Sequence, residues 1–393
     1  ASAGLYLPGG AAPRPGALFR NRVLAETYRR IVREAEQKSS DRDGQIEAAR
    51  EAFYSGFVAE AIAGFVEREE AMDSSGRRHR GVLSGDDLAA WQATLEPPVS
   101  FAYHGYEVCK TGAWGQGPVF LQQLALLDGI ELTPHTIIES AKLCFADREA
   151  YYGDALPVPL DMLLSREYAA EWRALIGERA SLEGVRTPER IVAPGVGEPT
   201  HGDTCHLDVA DRFGNLVSAT PSGGWLQSSP AIPGLGFCLG TRGQMFRLEE
   251  GLPSSLVGGT RPRTTLSPSL ALRDGEGFMA FGTPGGDQQD QWSLLFFLRW
   301  VEGMGLQEAI DAPVFHSNHF PSSFFPRAAR PGHVEIEERA GAAVIDDLRA
   351  RGHDVAVTGP WTLGRVSAVS RSPDGVLRAA ANPRGMQGYA VGR

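Results

Sequence analysis

The junction Asp203-Thr204, inside His201-Gly202-Asp203-Thr204-Cys205-His206, constrains this chain more than any other feature. A Pro/Gly-rich stretch, 186–200, precedes it. Beyond it Leu207 and Val209 alternate with Asp208, the period of a half-buried strand. Arg212-Phe213-Gly214-Asn215 reads as a turn and 216–220 as the returning strand, so Thr204 stands at the mouth of a hairpin. If the bond before Thr204 were cut, its hydroxyl would be a nucleophile and its own freed α-amine the base. The alternative is a β-branched residue that opens a strand.

The rest of the chain changes character at this point. Before it the apolar spacing predicts helices over 19–36, with Asn21 as cap, and over 48–69, with a break at Ser55-Gly56. A polar, mobile stretch over 37–44 separates them. A hairpin over 101–110 follows, then helices at 118–127, 136–151 and within 162–176. The Gly112–Gly117 turn lacks the Lys-Ser/Thr of a phosphate loop. After Thr204, strands are expected at 235–239, 243–248, 269–273 and 278–281, the last two joined at Asp274-Gly275. A helix at 291–301 comes next, then a strand–helix–strand unit over 334–357 and a hairpin over 366–381. Helices first, then strands with interspersed helices, indicate a layered α+β fold.

Composition excludes several classes. With 393 residues the chain exceeds one simple core, so two lobes or one large layered domain are expected. A net charge of −10 with no long basic run argues against nucleic acid as a partner. No run of about 18 apolar residues suggests a membrane span. Cys109, Cys144, Cys205 and Cys238 form no CxxC and read as free buried thiols rather than a metal or disulfide framework. The chain starts at Ala1 without methionine or signal peptide, compatible with a cytoplasmic or a periplasmic location.

Three further features bear on chemistry. Thr220-Pro221-Ser222-Gly223-Gly224 lies at the far end of the hairpin, where a hydroxyl would stand beside Thr204. Pro284-Gly285-Gly286 follows a strand. It is either a tight turn or a pair of N–H groups aimed at one point, as in an oxyanion hole. Thr264-Thr265 after Arg261-Pro262-Arg263 offers hydroxyls and cations to an anionic group, or is a solvated turn. His316 and His319 have the spacing of a metal pair but no third ligand nearby, and loop histidines account for them; no metal and no cofactor is expected.

With these motifs in order, the chain resembles the gamma-glutamyltransferase family of amino-terminal-nucleophile hydrolases. The family signature Thr-Thr-His-x-Ser-Val-Val-Asp-x-x-Gly-Asn reads here Thr204-Cys205-His206-Leu207-Asp208-Val209-Ala210-Asp211-Arg212-Phe213-Gly214-Asn215. The family's Arg-Pro-Leu-Ser-Ser-Met-Ser-Pro reads Arg261-Pro262-Arg263-Thr264-Thr265-Leu266-Ser267-Pro268, and Pro284-Gly285-Gly286 matches as it stands. Upstream, Lys142–Arg148 and Tyr152-Gly153-Asp154 also match.

The resemblance implies a four-layer αββα fold and self-cleavage between Asp203 and Thr204. Residues 1–203 would form the large subunit, mostly helical, and 204–393 the small, β-rich subunit, interlocked in one domain. The family's amino-terminal segment, which supplies a substrate-binding arginine and part of the sheet core, is expected to be missing from this chain. By the same resemblance Thr204 is the nucleophile, its amine of pKa about 8 the base, and Ser222 the hydroxyl that bonds it. Gly285 and Gly286 hold the oxyanion, and Thr264 and Thr265, with Arg242 or Arg263, are expected to hold the substrate carboxylate. Gly224 falls where the family has asparagine and Gln244 at or beside its aspartate, and the lid segment is short. The implied reaction is hydrolysis or transfer of a gamma-glutamyl or related acyl group, as from glutathione, to water or an amine. Amides lacking an α-amine, of glutaryl-cephalosporin or oxamate type, are the alternative. A serine or metal hydrolase and a non-catalytic homologue are readings of another class.

Overall fold

The computed structural model describes residues 2–72, 76–182, 204–223, 229–384 and 388–392. The chain packs as two units. The first comprises residues 1–96, 195–200 and 223–241, the second 97–194, 201–222 and 242–393.

In the first unit three amphipathic helices, Arg22–Lys38, Arg42–Tyr54 and Phe57–Arg68, follow one another. Asn21 caps the first as expected, its Oδ1 accepting the Leu24 N–H at 2.9 Å. The mobile stretch expected over 37–44 is largely absent, because Asp41 accepts the Gly44 N–H at 2.8 Å and starts the second helix. The break at Ser55-Gly56 is where it was expected. Val58, Ile62 and Val66, four residues apart on one face, bury against Ile232 and Leu235. The strand expected at 235–239 does not form. The N–H groups of Leu235 and Gly236 both turn back to the Ile232 carbonyl, at 3.1 and 2.9 Å, so they are lost to any ladder.

The second unit is built on a six-stranded antiparallel sheet. Its order is Leu377–Ala381, Ser367–Arg371, Glu276–Gly282, Ser269–Arg273, Tyr106–Lys110, Val99–Tyr103. Asp274 and Gly275, with φ of 52° and 79°, make the tight turn that joins its two central strands. Successive residues of a strand point to opposite faces, and Phe281 and Gly282 show what each face packs against. Phe281 meets Phe120 and Phe297, at 5.9 and 5.5 Å between ring centres, from the helices Pro118–Leu127 and Gln289–Val301. Gly282 lies under the two-stranded hairpin Leu207–Ala210/Leu216–Ala219, whose Ser218 hydroxyl donates to the Phe281 carbonyl at 3.2 Å. Helix, sheet and hairpin in this order are the α-β-β part of an αββα stack.

The helix Pro134–Tyr151 packs on Pro118–Leu127 around Val119, Cys144 and Phe145. The strand–helix–strand unit forms as expected: His333–Glu337 pairs in parallel with Asp354–Thr358, with Ala342–Ala350 as the crossover helix. The strand expected at 243–248 is instead a 3-10 turn, Arg242–Met245. The Arg327 guanidinium takes the carbonyls of Gln244, Met245 and Phe246 and so removes the acceptors a strand would need. Cys109 and Cys144 are buried, but Cys205 is exposed and Cys238 half-exposed, so burial of all four thiols does not hold. Among the described residues no helix is long and apolar enough to cross a membrane.

Candidate active site

The hairpin brings the two hydroxyls together at its open end. Leu207 opposite Ala219 is the last ladder pair. Beyond it the Cys205 N–H still reaches the Pro221 carbonyl at 3.2 Å, and Thr204 Oγ1 lies 2.8 Å from Ser222 Oγ. Either hydroxyl can donate. A cavity of about 590 Å³ opens beside Thr204, lined also by Asp208, Pro284, Arg365, Asn382 and Tyr389.

Pro284 leads into the glycine turn. Gly285 and Gly286 have φ of 132° and 59°, a backbone that favours glycine at both positions. Neighbours close off side chains as well: a Cβ on Gly285 would sit 2.3 Å from Trp292, and one on Gly286 3.0 Å from Phe324. The turn is pinned by the residue that follows. Asp287 accepts the Ser323 N–H at 2.9 Å and the Ser323 hydroxyl at 2.6 Å, and pairs with the fully buried Arg148 guanidinium. Arg148 also holds Gln116 and the Pro321 carbonyl. Its neighbour Glu149 pairs with Arg247 at 2.6 Å and Arg263 at 2.7 Å. Burial raises the pKa of the Glu149 carboxyl, but Arg263, Arg148 and Arg247 outweigh that and hold it at about 2.

Thr264 and Thr265 are not a solvated turn. Both are buried, and neither hydroxyl has a hydrogen-bond partner among the described residues. The two cations beside them are committed elsewhere: Arg261 clamps Asp154, with contacts of 2.9 and 3.1 Å, and Arg263 holds Glu149. Arg242 is a further cation near the glycine turn. It lies 5.7 Å over the Phe324 ring, the same ring that faces Gly286. Burial lowers its pKa to about 10, against the nearby Asp287 carboxylate. Gln244, half-buried, sits in the same 3-10 turn. Asp203 and Gly224 lie outside the described residues.

His316 and His319 have separate partners. His316 is buried in the strand Phe315–Ser317 rather than in a loop. It accepts from the Trp292 indole at 3.3 Å, with burial lowering its pKa to about 3. His319 accepts the Gly332 N–H at 2.9 Å. His135, Glu139 and His353 bring three donor atoms within 4.8 Å of one another. The Lys142 ammonium, 2.6 Å from Glu139, already supplies the positive charge there, and the two imidazoles bond each other at 2.9 Å.

The fold and this arrangement define a class, the amino-terminal-nucleophile hydrolases. The chain belongs to the gamma-glutamyltranspeptidase family, whose profile matches residues 1–392. It is 28% identical to the acylase ACY 1 proenzyme of Pseudomonas sp. (strain SE83), over 96% of this chain and 62% of that protein. To the oxamate amidohydrolase proenzyme of Klebsiella pneumoniae it is 29% identical, over 98% of this chain and 68% of that protein. Among solved structures, LmbA2991 superposes with a TM-score of 0.94 at 54% identity, covering all of this chain and 72% of that one. The chain thus spans less than two thirds of the length of ACY 1.

Reading the sequence alone gave no role to Asp287 or Glu149. The available signals were an acid directly after Gly-Gly and an Arg-Glu pair ending the upstream motif. The Glu149 cluster yields a test. Its folded pKa is below the ordinary 4.5, so its contribution is complete above that pH and is lost as pH falls towards 2. Glu149→Gln leaves three buried guanidinium groups short of their shared anion and should lose about 3–5 kcal/mol at pH 7. Urea unfolding should show the gap to wild type closing below pH 4.5. An equal gap at pH 3 and pH 7 would contradict the assignment.

Proposed function

We propose that this chain is the self-processing body of an amidase that works through an acyl-Thr204 intermediate. The observation that carries the reading is the 2.8 Å contact between the Thr204 and Ser222 hydroxyls at the end of the hairpin, immediately after the expected cleavage point. Before cleavage, attack of Thr204 Oγ on the Asp203 carbonyl would exchange the peptide bond for an ester and so free the Thr204 amine, and water would then hydrolyse the ester to the Asp203 carboxylate and the Thr204 hydroxyl. Afterwards the amine takes the hydroxyl proton, Oγ attacks the substrate amide, and the leaving amine departs with that proton. Backbone N–H groups of Gly285 and Gly286 would stabilise the oxyanion; loss of one such donor costs about 10²–10³ in turnover. Water or an amine then resolves the ester. Wild-type protein should separate into two fragments on a denaturing gel, the smaller beginning Thr-Cys-His. Thr204→Ala should remain a single chain without turnover. Cleavage of that variant, or a different new amino terminus, would refute the reading.

The donor we propose is an acyl group bearing a carboxylate. Thr264 and Thr265 present two buried, unpartnered hydroxyls, and Arg242 is a cation close to the glycine turn. A relative named as an oxamate amidohydrolase points the same way, since oxamate carries a carboxylate. A gamma-glutamyl group additionally brings an ammonium, which needs an anion once partly buried. Gln244, uncharged, stands at or beside the position where the resemblance implies that anion. This favours donors without an α-amine over glutathione. On the whole self-processed enzyme, kcat/KM for glutaryl p-nitroanilide should exceed that for the gamma-glutamyl compound by about tenfold, or ~1.4 kcal/mol. Gln244→Asp should shift the preference back. A clear preference of the wild type for the gamma-glutamyl compound would reject this donor class.

A further inference from the structure

The hairpin register continues past its last ladder pair. Counting outward from Leu207 opposite Ala219, it places His206 opposite Thr220, Cys205 opposite Pro221 and Thr204 opposite Ser222. Each of these pairs is in contact. Pro221 has no N–H to give, so an ordinary ladder cannot extend through this end. Side chains take over, and the first of them is unusually well held. His206 Nδ1 lies 2.7 Å from Thr220 Oγ1, and Nε2 lies 3.0 and 2.9 Å from the two Asp208 oxygens. Asp208 in turn accepts the Ser367 hydroxyl at 2.9 Å, from the neighbouring strand Ser367–Arg371. Both side chains of the His206–Asp208 pair are 1% exposed. The imidazole lies against Gly282 of the strand Glu276–Gly282: a Cβ there would be 2.3 Å from its Cε1.

Carboxylate oxygens only accept, so a ring N–H that bonds Asp208 sits on Nε2 and leaves Nδ1 to accept from the Thr220 hydroxyl. The order is carboxylate, imidazole, hydroxyl, with every member boxed in. The family signature has serine where this chain carries Asp208; a hydroxyl offers the ring one acceptor oxygen and no charge, whereas the carboxylate offers two oxygens and fixes the tautomer. Thr220 is two residues before Ser222, and Pro221 between them stiffens the connection.

We infer that Asp208 and His206 are positioning residues that act through Thr220 to hold Ser222 against Thr204. The inference rests on the reading of Thr204 as nucleophile, and the pair itself touches no reacting atom. Both self-cleavage and turnover use the Thr204–Ser222 contact, so both should respond together. Removing a cross-link that only stabilised the hairpin would lower the melting temperature and leave the rate per cleaved molecule unchanged.

The experiment compares full-length Thr220→Val, Thr220→Ser, Asp208→Ser and their combination with wild type. Self-cleavage is followed by mass spectrometry, which needs no substrate, and glutaryl and gamma-glutamyl p-nitroanilide serve as probes. Thr220→Val keeps the side-chain shape and removes the hydroxyl. It and Asp208→Ser should each slow self-cleavage and lower kcat per cleaved molecule by about 10²-fold, with KM within about twofold. Thr220→Ser should recover to within about threefold of wild type, and the Thr220→Val/Asp208→Ser double variant should be no slower than the worse single, as expected for residues acting as a unit. Wild-type self-cleavage and kcat in Thr220→Val, or effects of the two changes that multiply, would overturn the inference. Should Asp208→Ser not fold, the Thr220 pair decides alone. Turnover surviving in Thr204→Ala would instead refute the nucleophile; inert Thr204→Ala beside fully active Thr220→Val would refute only the positioning.

Discussion

The buried ion pair between Arg148 and Asp287 is the constraint on which the site depends. Arg148 belongs to the helix Pro134–Tyr151, and Asp287 follows the glycine turn by one residue. Desolvating both charges is expensive, and such a pair is retained only when every donor and acceptor finds a partner. Here Gln116, the Pro321 carbonyl and Glu149 complete Arg148, and Ser322 and Ser323 complete Asp287. One consequence is local: Gly285 and Gly286 are held in conformations that other residues rarely adopt. The other is longer in range, since the pair ties the helix to the end of the central strand Glu276–Gly282 and to residues 321–323.

The hairpin solves a separate problem. Two short strands with no further partner are marginal in water. This hairpin packs one face on the six-stranded sheet and closes its open end through side chains. Thr204 is thereby placed by register, as the residue opposite Ser222, rather than by a flexible loop. That arrangement suits the proposed role, in which Thr204 first attacks the bond before it and later a substrate from the same place.

Much of this was legible in the sequence wherever the cause is local. Alternation over 207–209 and 216–220 gave the hairpin, Asp274-Gly275 gave the turn, and Asn21 the cap, because neighbours in sequence decide each of them. The Thr204–Ser222 contact followed from the hairpin, and the family motifs gave the αββα fold. Contacts between distant residues were not legible. Arg148 and Asp287 are 139 positions apart, and nothing in either neighbourhood announces the other. Arg327 reaches back more than eighty residues to take the carbonyls of the 3-10 turn that was expected to be a strand. Thr264 and Thr265 look like turn residues beside two arginines until Asp154 and Glu149 claim both cations and the hydroxyls are found buried.

The central claim is that the chemistry passes through the hydroxyl of Thr204. The most direct measurement is trapping: the self-processed enzyme is mixed with an activated glutaryl ester, quenched in acid within seconds and mapped by peptide mass spectrometry. A glutaryl mass confined to the peptide that begins at Thr204 is the result the structure calls for. A label on a different side chain, Thr220 or Cys205 among them, with Thr204 unmodified during turnover, would contradict it.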